Sequence, residues 1–210
     1  MKHSILVKSL GLQPYQPVWE KMRQFTRQRD PDTRSEIWIV EHPCVFTLGQ
    51  AGKPEHILSQ GNIPLVKTDR GGQVTYHGPG QLVLYTLLNL HDFNIGVRSL
   101  VETLENSVID FLAIHGIAAN ADRKAPGVYV DGKKIAALGL KIRKGNSYHG
   151  LSFNVDMDLT PFKQINPCGY QGLEVTQLSD EGVIMSLNDV AMEVLNLLAS
   201  RLDCDLEFHD

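Results

Sequence analysis

The residue of this chain best suited to nucleophilic chemistry is Cys168, in the sequence Asn-Pro-Cys-Gly-Tyr at positions 166–170. Proline and glycine on either side predict a tight, exposed turn, whereas free cysteines more often pack in cores as small hydrophobes. Cys44 stands in a β-like run and Cys204 follows the last predicted helix, so both are weaker candidates. A thiolate on such a turn can attack a substrate and form a covalent intermediate. The residues alone leave an inert thiol as the alternative.

A second candidate is the glycine-rich segment, residues 70–81, which reads Arg-Gly-Gly-Gln-Val-Thr-Tyr-His-Gly-Pro-Gly-Gln. Gly71 and Gly72 let the backbone approach a ligand closely, and the Gly-Pro-Gly sequence at 78–80 predicts a turn between two strands. This is not a phosphate-binding loop, because no Gly-Lys-Ser/Thr sequence follows the glycines and no helix start is indicated. Both a ligand-binding loop and a plain strand connection fit this composition.

A third stretch reads Asp-Gly-Lys-Lys-Ile-Ala-Ala-Leu-Gly from position 131 to 139. The Asp-Gly pair predicts the turn of a β-hairpin, since both residue types accept positive φ. Lysines that follow such a turn are ordinarily solvated. The spacing does not distinguish which of Lys133, Lys134 and Lys141 points inward.

These three segments must be positioned by the elements of an α+β domain, in which helices pack against a mixed or mostly antiparallel sheet. Apolar residues at helical spacing predict helices over 17–28, 97–115 and 187–202, and Ser186 with Asp189 resembles a capping box at the start of the last one. Strand-like runs cover 36–41, 45–48, 65–67 and 81–90. A hairpin turning at 131–132 and a second turn at 143–146 lead into a further strand.

Composition and charge exclude several classes of protein. A hydrophobic content of 42% with 21% charged residues is ordinary for a globular chain, and a net charge of −4 argues against a nucleic-acid partner. No apolar run approaches the roughly 18 residues of a membrane span, and the N-terminal residues lack a signal-peptide pattern. Three scattered cysteines indicate a reducing compartment, and none has a second cysteine at zinc spacing, so no metal is predicted. We therefore expect one cytoplasmic domain over residues 1–210.

In this order the three segments resemble the octanoyltransferases of lipoate biosynthesis. The glycine-rich segment with the following strand, RGGQVTYHGPGQLVLY, is similar to the signature of that family, and the lysine-bearing hairpin is similar in GKKIAALGLKI. Two further similarities are HGLSFNV with INPCGY, and EHPCVFTLGQAGKPEH. The resemblance runs from about Ile37 to Gln177 and is specific as a composite.

The resemblance implies a role for each matching residue. Cys168 matches the nucleophile that forms the acyl thioester, and Lys134 matches the lysine that favours its thiolate form. His77 is expected to orient the carbonyl group or to carry protons. Cys44 stands where the family has proline, which makes it a bystander. The residues implied to line the substrate pocket are Arg70, Gly71, Gly72, Gln73, Val74, Thr75, Tyr76, His77, Ala137, Leu138, Gly139, Gly150, Leu151 and Ser152.

The resemblance also implies a fold and a set of partners. The fold is that of the biotin and lipoate protein ligase catalytic domains, a mixed sheet flanked by helices, in a monomer that needs no cofactor. The donor would be octanoyl-acyl carrier protein. The acceptors would be lipoyl domains of 2-oxoacid dehydrogenase complexes and the H-protein of glycine cleavage.

Three alternatives remain open at this point. An ATP-dependent lipoate or biotin protein ligase would share the fold but would need no cysteine nucleophile. A thioester hydrolase would pair Cys168 with His77 or His149 and release free acid to water. A lipoyl-binding module without catalysis would bind acyl groups and tolerate the loss of Cys168.

Overall fold

In the computed structural model, residues 3–209 are described, so the expected domain is covered apart from residues 1, 2 and 210. This part of the chain forms eleven strands and three α-helices, with short 3-10 turns at Pro54–His56, Thr160–Gln164 and Pro167–Gly169. The elements are β1 (His3–Leu12), α1 (Tyr15–Gln28), β2 (Ser35–Glu41), β3 (Val45–Leu48), β4 (Leu65–Lys67), β5 (Val74–His77), β6 (Gln81–Leu87), α2 (Val97–Ile114), β7 (Asn120–Ala121), β8 (Gly127–Val130), β9 (Lys133–Arg143), β10 (Asn146–Asn154), α3 (Leu187–Leu202) and β11 (Cys204–His209).

The strands form two sheets. The main sheet has the order β11-β1-β2-β6-β10-β9-β8-β7, with parallel pairs on both sides of β1 and antiparallel pairs from β2 to β7. A small sheet has the order β4-β3-β5, parallel between β3 and β4 and antiparallel between β3 and β5. A mixed, mostly antiparallel sheet flanked by helices confirms the expected α+β class.

The helices cover the two faces of the main sheet because each carries an apolar stripe. Helices α2 and α3 pack on one face, where Leu104, Phe111 and Val194 are fully buried in the largest core. Helix α1 covers the other face with Val18 and Met22. The small sheet has its own core, which includes apolar side chains just before Cys168. None of the helices within 3–209 is long and apolar enough to cross a membrane.

Most of the predicted elements are confirmed. The three helices appear with boundaries shifted by two residues or fewer, and the Ser186 side chain accepts a hydrogen bond from the Asp189 backbone N–H, as the capping box predicted. The hairpin turns at 131–132, where both residues have positive φ. The sequence did not predict β1 and β11, which pair with each other in parallel, or β5, which lies within the glycine-rich segment.

Candidate active site

Cys168 lies at the centre of a tight turn, as predicted, but its side chain is partly buried. The turn is closed by hydrogen bonds from the Gly169 N–H to the Asn166 carbonyl (2.9 Å) and from the Tyr170 N–H to the Pro167 carbonyl (3.1 Å). Cys168 itself has φ +57° and ψ +15°, a left-handed conformation that is uncommon for any residue other than glycine. Such conformations cluster at functional sites, where the surrounding structure holds them.

Lys134 is the lysine that points inward from the hairpin. Its side chain is 3% exposed, and its Nζ lies 3.0 Å from Cys168 Sγ and 3.1 Å from the Pro126 carbonyl oxygen. The same Nζ lies 5.1 Å from the centre of the Tyr129 ring. Burial lowers the pKa of Lys134, but the Cys168 sulfur and the Tyr129 phenol raise it by more, so its pKa lies above the ordinary value. The ammonium therefore stays charged beside the sulfur at neutral pH.

The other two lysines face away from the sulfur. Lys133 is exposed, and Lys141 Nζ donates to the side-chain oxygen of Gln50 at 2.8 Å. Lys134 differs from the other two lysines because its backbone is hydrogen-bonded to the segment that follows Cys168. Its N–H donates to the Glu174 carbonyl (2.9 Å), and its carbonyl accepts from the Thr176 N–H (3.0 Å).

A pocket, here called the central pocket, lies between β9, β10 and the glycine-rich segment, and Cys168 is part of its lining; the empty space in it is about 470 Å³, including its solvent-open mouth. Most residues expected to line a substrate pocket do line it: Arg70, Gly72, Gln73, Val74, Thr75, His77, Ala137, Leu138, Gly139, Gly150, Leu151 and Ser152. Gly71 and Tyr76 are the exceptions. The Gly71 N–H donates to the Leu140 carbonyl, and the Tyr76 ring packs in the small-sheet core with its hydroxyl 3.1 Å from Cys44 Sγ.

The sequence did not predict four further lining residues, which are Tyr15, Val83, Tyr85 and His149. The first three come from α1 and β6, and their inward direction depends on how those elements pack. The sequence indicates His149 only as a partner of Cys168 in a hydrolase.

Arg70 holds the glycine-rich segment against β3. Its buried guanidinium donates to the hydroxyl and carbonyl oxygens of Thr47 at 2.6–3.0 Å, and to the carbonyls of Gly71 and Gln73 at 2.8 Å each. Gly72 lies between these carbonyls with φ +86°, which favours glycine. Every nitrogen of Arg70 therefore donates within the protein, which fixes this part of the pocket wall.

His77 is a neutral hydrogen-bond acceptor. Burial, with a smaller contribution from nearby His42, lowers the pKa of His77 to about 3. Its Nδ1 lies 2.7 Å from Gln81 Oε1, an oxygen that can only accept, so the proton resides on Nδ1. Its Nε2 lies 3.4 Å from the hydroxyl of Thr47. His77 thus presents a lone pair and not a proton on the Nε2 side.

His149, which also contributes to the pocket lining, pairs with Asp69. Its Nε2 lies 2.9 Å from Asp69 Oδ1, which also accepts from Trp19 Nε1 at 2.7 Å, while the Tyr148 hydroxyl donates to Asp69 Oδ2 at 2.6 Å. Burial raises the pKa of Asp69, but these three hydrogen bonds lower it by more, and the carboxyl is held well below its usual range. Burial lowers the pKa of His149 despite Asp69, so the ring is neutral.

The remaining candidates do not join the site. Cys44 is exposed just before β3, and Cys204 is buried at the start of β11. Within the described residues, no group of three or more His, Cys, Asp or Glu side chains is arranged to hold a metal ion.

Comparison with solved structures shows the fold. The chain is similar to the bipartite lipoate protein ligase of Thermoplasma acidophilum, with a TM-score of 0.73, 17% identity, and coverage of 100% of this chain and 86% of that one. It is also similar to the biotin protein ligase of Aquifex aeolicus, with a TM-score of 0.56, 15% identity, and coverage of 95% and 69%. These similarities confirm the fold that the sequence resemblance implied.

Sequence comparison is more specific. The chain is 59% identical over 196 residues to the octanoyltransferase of Pseudomonas putida strain W619, covering 93% of this chain and 91% of that one. It is 56% identical over 202 residues to the octanoyltransferase of Chromobacterium violaceum, covering 96% and 98%. The family described as the lipoyl protein ligase A/B catalytic domain matches residues 14–199. With both the fold and the sequence in agreement over most of its length, the chain belongs to the lipoyl protein ligase A/B catalytic domain family.

Proposed function

We propose that this protein transfers an octanoyl group from octanoyl-acyl carrier protein to a lysine of a lipoyl domain, through a thioester on Cys168, in lipoate biosynthesis. The observation that carries the proposal is the buried Lys134 ammonium 3.0 Å from Cys168 Sγ, beside a pocket whose wall includes Cys168. High identity to octanoyltransferases over nearly the whole chain supports the same activity.

The first half of the reaction loads the enzyme. The Cys168 thiolate attacks the donor thioester carbonyl, and the tetrahedral intermediate collapses with loss of the pantetheine sulfur. Lys134 gives one proton to that leaving thiolate and becomes a neutral amine. One thioester replaces another, so the step is close to isoenergetic and needs no ATP.

The second half delivers the acyl group. The neutral amine of the acceptor lysine attacks the Cys168 thioester, and the neutral Lys134 accepts the proton that the new amide nitrogen loses. The Cys168 thiolate leaves and again faces a Lys134 ammonium, so the enzyme returns to its starting state. An amide is more stable than a thioester, which drives the transfer forward.

The central pocket is suited to an apolar chain because Val74, Val83, Leu138 and Leu151 contribute to its wall. Burial of about six methylenes at ~0.8 kcal/mol each would contribute close to 5 kcal/mol to binding. Backbone N–H groups of the glycine-rich segment could stabilise the oxyanion of each tetrahedral intermediate, but the Gly71 N–H already donates to the Leu140 carbonyl. We therefore assign the oxyanion to other donors near Cys168.

The partners follow from the same proposal. The donor is the acyl carrier protein, and the acceptors are lipoyl domains of 2-oxoacid dehydrogenase complexes and the H-protein of glycine cleavage. We propose a cytoplasmic monomer that uses no cofactor. These assignments are tested by transfer assays with each purified acceptor and by the mass of the protein in solution.

Intact-mass measurement tests the proposal. Mixing the protein with octanoyl-acyl carrier protein, without ATP or magnesium, should add one octanoyl group, and peptide mapping should place it on Cys168. Cys168→Ala should carry none, whereas Cys44→Ala should be loaded like the wild type. A requirement for ATP and free octanoate would instead identify a ligase, and release of octanoic acid without amide formation would identify a hydrolase.

A further inference from the structure

His149 contributes to the lining of the central pocket and is 1% exposed. Its Nδ1 is a buried nitrogen without a hydrogen-bond partner among the described residues. Buried polar atoms in folded proteins are nearly always paired, so a partner from outside the chain is expected at this atom. The mechanism proposed above makes no use of it.

The chemistry of that partner follows from the other side of the ring. The Asp69 carboxylate accepts the hydrogen bond at His149 Nε2, so the ring proton is on Nε2. Nδ1 of the neutral ring then carries a lone pair and can only accept. The missing partner must therefore be a hydrogen-bond donor, which a saturated hydrocarbon chain does not contain.

His149 lies along β10 at about the distance from the reacting end that an octanoyl chain would span. Ser152 and Cys168 line both the central pocket and the smaller cavity around Lys134, which places them at the reacting end. His149 lies three residues before Ser152 in the strand, which corresponds to roughly 10 Å of extended backbone. Seven carbon–carbon bonds in zigzag extend about 9 Å, so an octanoyl chain that starts beside Ser152 and follows β10 would end near His149.

We propose that His149 forms a polar terminus of the acyl pocket, which accepts a hydrogen bond from a water molecule beyond an octanoyl chain or from a terminal hydroxyl on a longer acyl chain. The inference rests on the proposed acyl transfer and adds a determinant of chain length and of substrate class. A longer alkyl chain must displace the donor and leave Nδ1 unpaired. An acyl chain with a terminal hydroxyl replaces the water and keeps the hydrogen bond.

The experiment compares thioesters of equal length that differ only in their last group. Nonanoyl- and 8-hydroxyoctanoyl-acyl carrier protein have the same number of heavy atoms in the acyl chain, ending in a methyl or a hydroxyl group. The rate of acylation of Cys168 is measured by intact mass for each, together with octanoyl-acyl carrier protein. In wild type we expect the hydroxyl donor to react faster than the methyl donor, whereas an apolar terminus would give the reverse order, since it buries an unpaired hydroxyl.

His149→Phe retains an aromatic ring and removes the acceptor, so the ratio of hydroxyl to methyl rates should fall by about tenfold or more. His115→Phe is the matched control, because His115 lies at the end of α2 against Phe111 and Glu193, outside the pocket, and should keep the wild-type ratio. A wild-type ratio below one overturns the inference, even if His149→Phe does not fold, and so does an unchanged ratio in a folded His149→Phe. Failure of the octanoyl donor itself would instead overturn the proposed function.

Discussion

Replacement of Lys134 by methionine tests the activation of Cys168 most directly. Methionine keeps much of the side-chain volume in a buried position and removes the ammonium that lies 3.0 Å from the sulfur. In wild type the positive charge favours the thiolate, which is the form that reacts with electrophiles. We expect Lys134→Met to move the alkylation of Cys168 to higher pH.

The structure sets the size of the shift. Two unit charges 3.0 Å apart attract each other by about 5.5 kcal/mol at an effective dielectric constant near 20. Desolvation of the buried pair offsets part of this attraction. If about 1.4 kcal/mol of the attraction remains, the population of the reactive thiolate differs tenfold with and without the ammonium. We therefore expect roughly tenfold slower alkylation of Cys168 in Lys134→Met at neutral pH.

The assay is the rate of iodoacetamide alkylation of Cys168 between pH 5 and pH 10, followed by peptide mass. Lys133→Met and Lys141→Met are matched controls, because Lys133 is exposed and Lys141 donates to Gln50. Both should keep the wild-type profile. An unmoved profile in a folded Lys134→Met variant would refute the pairing of Lys134 with Cys168.

Three further predictions concern the surrounding structure. Gly72→Ala forces a side chain into positive φ, so it should cost about 1–2 kcal/mol of unfolding free energy in urea and slow octanoyl transfer to lipoyl domains. The pKa of Asp69 is lower in the fold than in the unfolded chain, so its carboxylate stabilises the fold above pH ~4, and this contribution is lost as the pH falls. In urea unfolding, Asp69→Asn should therefore lower the free energy of unfolding more at pH 7 than at pH 3. Ser186→Ala removes the cap of α3 and should lower the unfolding free energy by about 1 kcal/mol while leaving the rate of acyl transfer unchanged.

The sequence predicted the elements whose signals are local. Helix α3 has an apolar stripe and a cap within its own residues, and the hairpin has an Asp-Gly turn, so neither depends on distant parts of the chain. Strands β1 and β11 pair in parallel although His3 and Cys204 stand at opposite ends of the described chain. No local pattern specifies a partner at such a separation, and β1 was therefore not predicted.

The candidate site divides in the same way. Cys168 was singled out by its turn residues, and Lys134 by the resemblance and not by spacing. The sequence could not predict that Asp69 pairs with His149, because the two residues come together only when the glycine-rich segment packs over β10. Gly71 shows the opposite case, a residue implied to line the pocket whose N–H instead belongs to a backbone pair with Leu140.

The left-handed backbone at Cys168 has a consequence for how this position evolves. For a residue with a side chain, that conformation is destabilising by about 1–2 kcal/mol relative to glycine. Glycine in turn loses more conformational entropy on folding, which destabilises the fold by about 0.5–1 kcal/mol. The first effect is the larger, so selection for folding alone would favour glycine at position 168. Only the chemistry of the thiol favours cysteine at this position. We therefore expect a descendant protein without the acyl substrate to replace Cys168 early.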